Sequence, residues 1–267
     1  MNPRDRELVA DLCARRAGLR VDPEKAYLLE NRLAPVARRE GYQSAHDLVA
    51  AIRDRDDDRL AWAAVEAMTP CGTDFFHDAA ALDAAVDDLF VGPGAGDGQP
   101  VRIWAASCGG GQEAYSLAML LHERAVLTPD VELFATDLSE RRLEAAQAGL
   151  YSQFEVQRGL AARRLVRHFE AHEAGFVLSP HLRRTLRWAR VNLLDDPERH
   201  GKFDLIVCRQ PFGGYLDAAR ERMIGHLASA LKPHGRLMLG AGETYPGLVE
   251  AGRPGLYRPA SRVRAAA

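Results

Sequence analysis

The chain has little with which to cross-link itself. Its four cysteines (Cys13, Cys71, Cys108 and Cys208) are scattered, and no Cys-x-x-Cys pair occurs. That spacing excludes the usual signatures of a zinc knuckle or a disulfide framework, and it fits reduced thiols in a cytoplasmic protein. No metal is expected either, because His77, the one histidine that the motifs single out, has no second ligand at metal-binding spacing. Long apolar runs are missing too: none approaches the roughly 20 residues that a helix needs to span a bilayer. The opening Met1-Asn-Pro-Arg-Asp-Arg has no apolar segment behind it, so neither membrane insertion nor a cleaved leader is expected. Charge of one sign is absent as well. Thirty-five Lys and Arg against 37 Asp and Glu leave a net charge of -2, so no overall pull toward nucleic acid or membrane exists. Aromatics, at 7%, are few for base stacking, which also argues against a nucleic-acid partner.

What is present is ordinary globular composition, 47% hydrophobic and 27% charged over 267 residues, enough for a large domain plus a small one. Nothing demands more than a monomer. Residues 1–90 read as all-helical. Leu8, Val9, Leu12 and Cys13 recur at helical spacing, and Asp22-Pro23 reads as an N-cap with Pro at the first helical position. The helix that follows carries Leu28, Leu29, Leu33 and Val36 on one face. Ser44 opens another helix. The charged run Asp54–Arg59 reads as a turn before a helix over Leu60–Met68. The Gly/Pro-rich stretch 91–100 reads as a loop into a second domain over 91–267. There strand and helix patterns alternate: strands at Val101–Ala105, Val131–Thr136, Phe203–Cys208 and from Gly235, with helices at Glu113–Arg124, Ser139–Gly149 and Arg220–Leu231. The alternation predicts βαβ units and a mainly parallel, doubly wound α/β sheet.

Between the first strand and helix lies Trp104-Ala-Ala-Ser-Cys-Gly-Gly-Gly-Gln-Glu113. Three successive glycines let the backbone turn tightly and approach a ligand without Cβ interference. One strand later Asp137 stands at a carboxyl end, where a carboxylate commonly accepts hydrogen bonds from ribose hydroxyls. The spacing is not the Gly-x-Gly-x-x-Gly of dinucleotide binding. An adenosine-type ligand without a pyrophosphate needs no anion cradle and fits the looser turn. A plain flexible loop, with Asp137 as a helix cap only, is the competing reading.

Four blocks taken together resemble the chemotaxis receptor methyltransferase (CheR) family over most of the chain, to about Tyr245. They are Met68–His77, Trp104–Ser116, Ala135-Thr-Asp137 with Ala148–Tyr151, and the series Val191–Leu194, Phe203–Arg209 and Leu231–Gly235. The resemblance implies a helical N-terminal domain joined to a Rossmann-like methyltransferase domain, with a small antiparallel subdomain inserted at about 152–190. It implies transfer of the methyl group of S-adenosylmethionine to glutamate side chains of chemoreceptor cytoplasmic helices, with S-adenosylhomocysteine as product. By position, Thr73 would meet the cofactor near its amino-acid end, Glu113 its methionine part, Asp137 its adenosine part, and Asn192-Leu193 the adenine environment. Arg209 would line the same pocket.

The chain departs from the family pattern near the methyl group. The family's Asn is Cys71 here, its Arg is His77, and its Asn after Cys-Arg is Gln210. Gly214 falls where the family has Tyr, with Tyr215 one position beyond. Cys71, His77 and Gln210 thus join the candidate cofactor-binding residues. Two explanations compete: efficient methyl transfer is lost, leaving a protein that binds the cofactor or a signalling partner, or His77 and Tyr215 have taken over as the catalytic residues. His77 is also readable as a helix-surface residue.

From Arg141 to Arg190 ten arginines (141, 142, 158, 163, 164, 167, 183, 184, 187, 190) face four glutamates (144, 155, 170, 173). They predict either a solvated face or an electropositive surface for an acidic partner, such as the receptor's glutamate-rich region.

Overall fold

The computed structural model describes residues 1–70, 72–91, 99–209, 212–240, 243, 245–253 and 255–260. They cluster into two compact units: Met1–Pro70 with residues 212–223, and residues 72–209 with 224–260.

The first unit is helical, with α1 (Pro3–Ala17), α2 (Ala26–Arg39), α3 (Ala45–Arg55) and α4 (Asp58–Met68). Side-chain caps set its helix starts. Asn2 accepts the Asp5 N–H at 2.8 Å, Ser44 the Asp47 N–H at 3.2 Å, and Asp57 the Leu60 N–H at 3.1 Å. Gly18 and Asp56, at φ 65° and 48°, supply the left-handed residues that end α1 and α3. Apolar residues at helical spacing (Val9, Leu29, Leu33, Leu48, Val49, Leu60 and Val65) form the core. Asp5 is buried with them, its charge met by Arg53 at 2.9 Å and His46 at 2.5 Å.

Two local expectations fail here. Asp22 does not cap a helix: its Oδ1 accepts the Glu24 N–H at 3.0 Å in a turn, and α2 begins only at Ala26. Leu28, expected on the buried face of α2, is 43% exposed, because the inward stripe runs Leu29–Leu33–Val36. Residues 212–223 return to this unit. Leu19 forms an antiparallel bridge with Tyr215, flanked by Arg20 N–H to Gly214 O at 2.9 Å and Leu216 N–H to Gly18 O at 2.8 Å.

The second unit runs α5 (Ala79–Val91), β1 (Val101–Ala106), α6 (Gln112–Glu123), β2 (Val131–Asp137), α7 (Glu140–Ala148), β3 (Leu150–Tyr151), α8 (Gln153–Gln157), α9 (Ala162–His168), β4 (Phe169–His172), β5 (Gly175–Leu178), α10 (Pro180–Arg183), β6 (Leu186–Arg190), β7 (Phe203–Val207), α11 (Asp217–Ser229), β8 (Leu231–Met238), β9 (Leu248–Glu250) and β10 (Leu256–Pro259). Helix α11 starts among the residues that cluster with the helical unit and ends in this one. The main sheet has the order β6-β2-β1-β7-β8-β10-β9. The first five strands are parallel, and β10 and β9 are antiparallel. All five residues of β7, Phe-Asp-Leu-Ile-Val, are buried, as befits a central strand covered on both faces.

Domain organisation differs from the sequence expectation in two places. The units divide after Pro70, not at the Gly/Pro-rich stretch near 91, whose residues 92–98 lie outside the described ones. The reason is packing: Phe75, Phe76, Leu82, Ala85 and Val86 belong to the same core as Tyr115 and Leu117. The inserted subdomain is the small sheet β3-β5-β4 with its short helices, spanning 150–183. The stretch read as its far edge is β6, which instead pairs in parallel with β2 in the main sheet. Strand β8 also begins earlier than Gly235, at Leu231, passing Pro233 across a register shift opposite Phe203–Leu205.

Candidate functional site

The sheet order reverses at β1. From it the chain proceeds through β2 to β6 on one side, and through β7 to β8 on the other. Ligands of doubly wound sheets bind beyond the carboxyl ends at such a switch point. The turn after β1 and Arg209 after β7 both lie there.

The turn is built from left-handed residues: Ser107, Gly109 and Gly111 at φ 56°, 56° and 86°. Gly111 is the N-cap of α6, and a Cβ on it would lie 2.9 Å from the Ala146 methyl carbon and 3.2 Å from the Tyr151 hydroxyl. Glycine is therefore required both by backbone conformation and by close packing. Asp137, at the end of β2, secures the turn across the strands. Its Oδ2 accepts the Gly109 N–H at 2.9 Å and its Oδ1 the Ser139 N–H at 2.9 Å, with Arg142 Nη1 3.9 Å away. The carboxylate is 3% exposed. Ser139 caps α7, as expected from the sequence.

Thr73 stands over the turn, its Oγ1 donating to Gln112 Oε1 and its Cγ2 3.0 Å from where a Gly109 Cβ would lie. The segment that carries Thr73 is pinned to α6 by the Phe76 N–H donating to Ser116 Oγ at 2.8 Å. Glu113, in the first turn of α6, pairs with Arg209: Nε donates to Oε1 at 2.5 Å and Nη2 ion-pairs with the same oxygen. The Arg209 side chain is 4% exposed; among the described residues its Nη1 has no hydrogen-bond acceptor, and Nη2 has only the Glu113 ion pair. A buried guanidinium holding unsatisfied donors, next to a carboxylate engaged through one oxygen, is arranged to take a further anionic group. Asn192 follows β6, beside the Asp137 end of β2, and its Oδ1 accepts the Leu194 N–H at 3.1 Å. The Leu193 carbonyl accepts from His226 Nδ1 at 3.0 Å.

Thr73, Gly109, Glu113, Asp137, Asn192, Leu193 and Arg209 thus come from four strand ends and one preceding segment of the same unit. Two other candidates fall differently. His77 is exposed in the turn before α5, not on a helix, between Phe76 and Asp78 at φ 47° and 50°. Among the described residues it makes no hydrogen bond. Tyr215 belongs to the helical unit, where it is 9% exposed and paired with Leu19. Cys71 and Gln210 lie outside the described residues.

Sequence reasoning assigned no role to Tyr151, whose hydroxyl donates to the Gly110 carbonyl at 2.7 Å and so braces the glycine turn from the subdomain. Its only signal was its place in the Ala148-Gly-Leu-Tyr151 block. Burial pushes the phenol well above its ordinary range, so it stays protonated and keeps the proton it donates. Cys108 lies in the turn too. Burial first, then the nearby Asp137 and Glu113 charges, raise its thiol far above the usual range and make it inert.

The arginine-rich stretch is divided by the fold. Arg158 pairs with Asp74 at 2.7 Å, Arg164 with Glu123 at 2.8 Å and Arg187 with Glu132 at 2.9 Å. Arg183 and Arg190 donate to the backbone carbonyls of Ala148 and Leu138. Arg141, Arg163, Arg167 and Arg184 are exposed without an ion pair among the described residues. Arg183 and Arg184, with Gln147, Pro180 and Trp188, line a surface groove of about 420 Å³.

A doubly wound sheet, a glycine turn held by an acidic strand end, and a buried carboxylate–guanidinium pair at the switch point define the class: an α/β domain of the nucleoside-cofactor-binding kind. Comparisons narrow it. Residues 72–253 match the model of the CheR methyltransferase SAM-binding domain, and residues 4–69 that of the CheR methyltransferase all-alpha domain. The chain is 32% identical to a chemotaxis protein methyltransferase of Vibrio parahaemolyticus, over 87% of this chain and 86% of that protein. It is 33% identical to chemotaxis protein methyltransferase 1 of Pseudomonas aeruginosa, over 90% of this chain and 89% of that protein. The chain belongs to the CheR family of S-adenosylmethionine-dependent methyltransferases.

Proposed function

We propose that the chain methylates glutamate side chains of chemoreceptor cytoplasmic helices, acting as a cytoplasmic monomer. The observation that carries the cofactor assignment is Arg209, buried against Glu113 with its Nη1 left without a hydrogen-bond partner among the described residues. In this reading Arg209 takes the carboxylate of the cofactor's methionine part. Glu113 turns its second oxygen to the ammonium. The side-chain-free turn at Gly109-Gly110 admits the cofactor backbone. Asp137 and Asn192 receive the ribose and the adenine side, with Leu193 against the base. Thr73 closes the amino-acid end.

S-adenosylmethionine, when bound, supplies an electrophilic methyl on a sulfonium whose charge is lost as the methyl departs. A substrate glutamate is already ionised at neutral pH, so no general base is required. The chain's task is orientation and exclusion of water. On the family resemblance, His77 and Tyr215 are proposed as catalytic residues, and Cys71 and Gln210 as further cofactor-binding ones. The exposed Arg141, Arg163, Arg167 and Arg184 offer positive charge to an acidic receptor helix.

The test is calorimetric titration with S-adenosylmethionine and S-adenosylhomocysteine, followed by transfer of labelled methyl to a receptor cytoplasmic fragment. Binding with transfer is expected. Arg209→Lys, which keeps the charge but loses the fork, should weaken binding about 10- to 100-fold. Binding without transfer would remove the enzymatic reading and leave a cofactor-binding one. No binding would overturn both.

A further inference from the structure

Away from the cofactor site, three histidines converge from separate elements of the α/β unit. His122 lies in the last turn of α6, His168 ends α9, and His181 lies in α10. Each brings one ring nitrogen within 4.8 Å of the others. The ring centroids of His122 and His168 are 5.6 Å apart, and those of His122 and His181 are 5.0 Å apart. His122 is half-buried, His168 is 1% exposed, and His181 is open to solvent.

Their hydrogen bonding is incomplete in a telling way. Among the described residues, Nδ1 of His122 and Nδ1 of His168 are both buried without a hydrogen-bond partner. Buried ring nitrogens normally find one, so two orphans in one cluster point to a ligand that accepts lone pairs. The opposite nitrogen of His168 is held: Nε2 contacts Glu123 Oε1 at 3.3 Å. Glu123 is in turn fixed by Arg164, with Nε at 3.0 Å and Nη2 at 2.8 Å. A carboxylate on the far nitrogen of a histidine orients the ring, sets its tautomer and raises its basicity as a donor, which is the arrangement found behind metal-bound imidazoles.

We propose that His122, His168 and His181 form a binding site for a divalent transition-metal ion of the zinc type. Three neutral imidazoles suit zinc, with solvent taking the fourth position on the exposed His181 side. Zinc–nitrogen bonds of about 2.0–2.1 Å require the three nitrogens to draw somewhat closer than their present limit, and the exposed His181 ring on its short helix is freest to move. Burial lowers the pKa of His168 and of His181, which favours the neutral, metal-binding form. The cationic neighbours Arg164 and Arg167 are offset in part by Glu123. A bound ion would clasp α9 and α10 to the end of α6, joining the inserted subdomain to the main sheet's first helix.

The experiment uses the full chain after chelator treatment, titrated with zinc by calorimetry and with cobalt as an optical probe. One ion per chain is expected, with a visible cobalt band of four- or five-coordinate intensity and a zinc-dependent rise in melting temperature. His181→Ala, at an exposed position, should leave the circular dichroism unchanged and weaken zinc binding by more than the roughly 10- to 100-fold typical of losing an outer-shell partner. His122→Gln should do the same. Absence of stoichiometric binding, or binding undiminished in both variants, would overturn the site. None of these readouts involves methyl transfer, so the outcome stands apart from the proposed enzymatic function.

Discussion

Asp137 Oδ2 accepts the backbone N–H of Gly109 at 2.9 Å, across 28 residues of chain. One carboxylate thereby ties the end of β2 to the turn after β1, and its other oxygen starts the next helix through the Ser139 N–H. The side chain that holds the turn is thus also the one proposed to receive the cofactor's ribose. Asp137→Asn replaces one acceptor oxygen by an NH₂ group and removes the charge. It should weaken cofactor binding about 10- to 100-fold, the scale of a charged hydrogen bond. It should also lower the melting temperature without ligand, and calorimetry of both quantities checks the pairing.

Gly111→Ala tests the turn itself. The added methyl meets Ala146 at 2.9 Å, with Trp188 and the Tyr151 hydroxyl both at 3.2 Å, on a backbone at φ 86°. A cost of about 2–4 kcal/mol is expected from strain and overpacking together. Denaturant unfolding should show it as a lower midpoint with an unchanged slope.

Phe75 is fully buried, with edge-on contacts to Tyr151 and Phe169 at centroid distances of 5.0 and 5.7 Å. Phe75→Ala should cost about 3–5 kcal/mol. The loss should appear in unfolding of the α/β unit, since the residue lies in that core. A Phe75→Leu variant that retains most of the stability would show the effect to be volume and not aromatic geometry.

Burial is the leading cause that lowers His168, His181 and His200 below the ordinary histidine range. Their unfolded forms therefore take up protons first as the pH falls. Stability is full above the unfolded value near 6.5 and declines as the pH drops through and below it. The melting temperature should fall between about pH 7 and pH 5.5. Carboxylates change the stability only at lower pH. Glu123 is pulled below its usual value because Arg164 and His168 outweigh its burial, so its contribution is full above about 4.5 and is lost as the pH falls from there through its lowered folded value. His200→Gln should flatten the upper part of the profile.

Burial also pushes the Cys13 thiol up to about 12. Neither Cys13 nor Cys108 should react with iodoacetamide at pH 8 in the folded protein, and both should react at once in denaturant. Peptide mapping after brief alkylation distinguishes the two states.

Much of this was legible along the chain because it rests on short-range rules. Ser44 and Ser139 cap helices where a capping side chain precedes apolar periodicity. The strand–glycine–helix–strand–acid order placed Gly109, Glu113 and Asp137 at one end of the sheet. Asp22-Pro23 misled because the same residues that cap helices also make turns, and only the packed stripe Leu29–Leu33–Val36 decides where α2 begins. The Gly/Pro-rich stretch misled as a boundary because composition marks loops, whereas the core contacts of Phe75, Phe76 and Leu82 mark domains.

The sequence by itself determined the helical first domain, the doubly wound class and the adenosine-type turn, since periodicity, capping and left-handed glycines act within a few residues. Only the tertiary structure decided which side chains share a site. The Glu113–Arg209 pair joins residues 96 positions apart, Tyr151 reaches the Gly110 carbonyl from the subdomain, and His122, His168 and His181 meet from three elements. Their proximity follows from how strands and helices pack, and no local spacing in the chain encodes it.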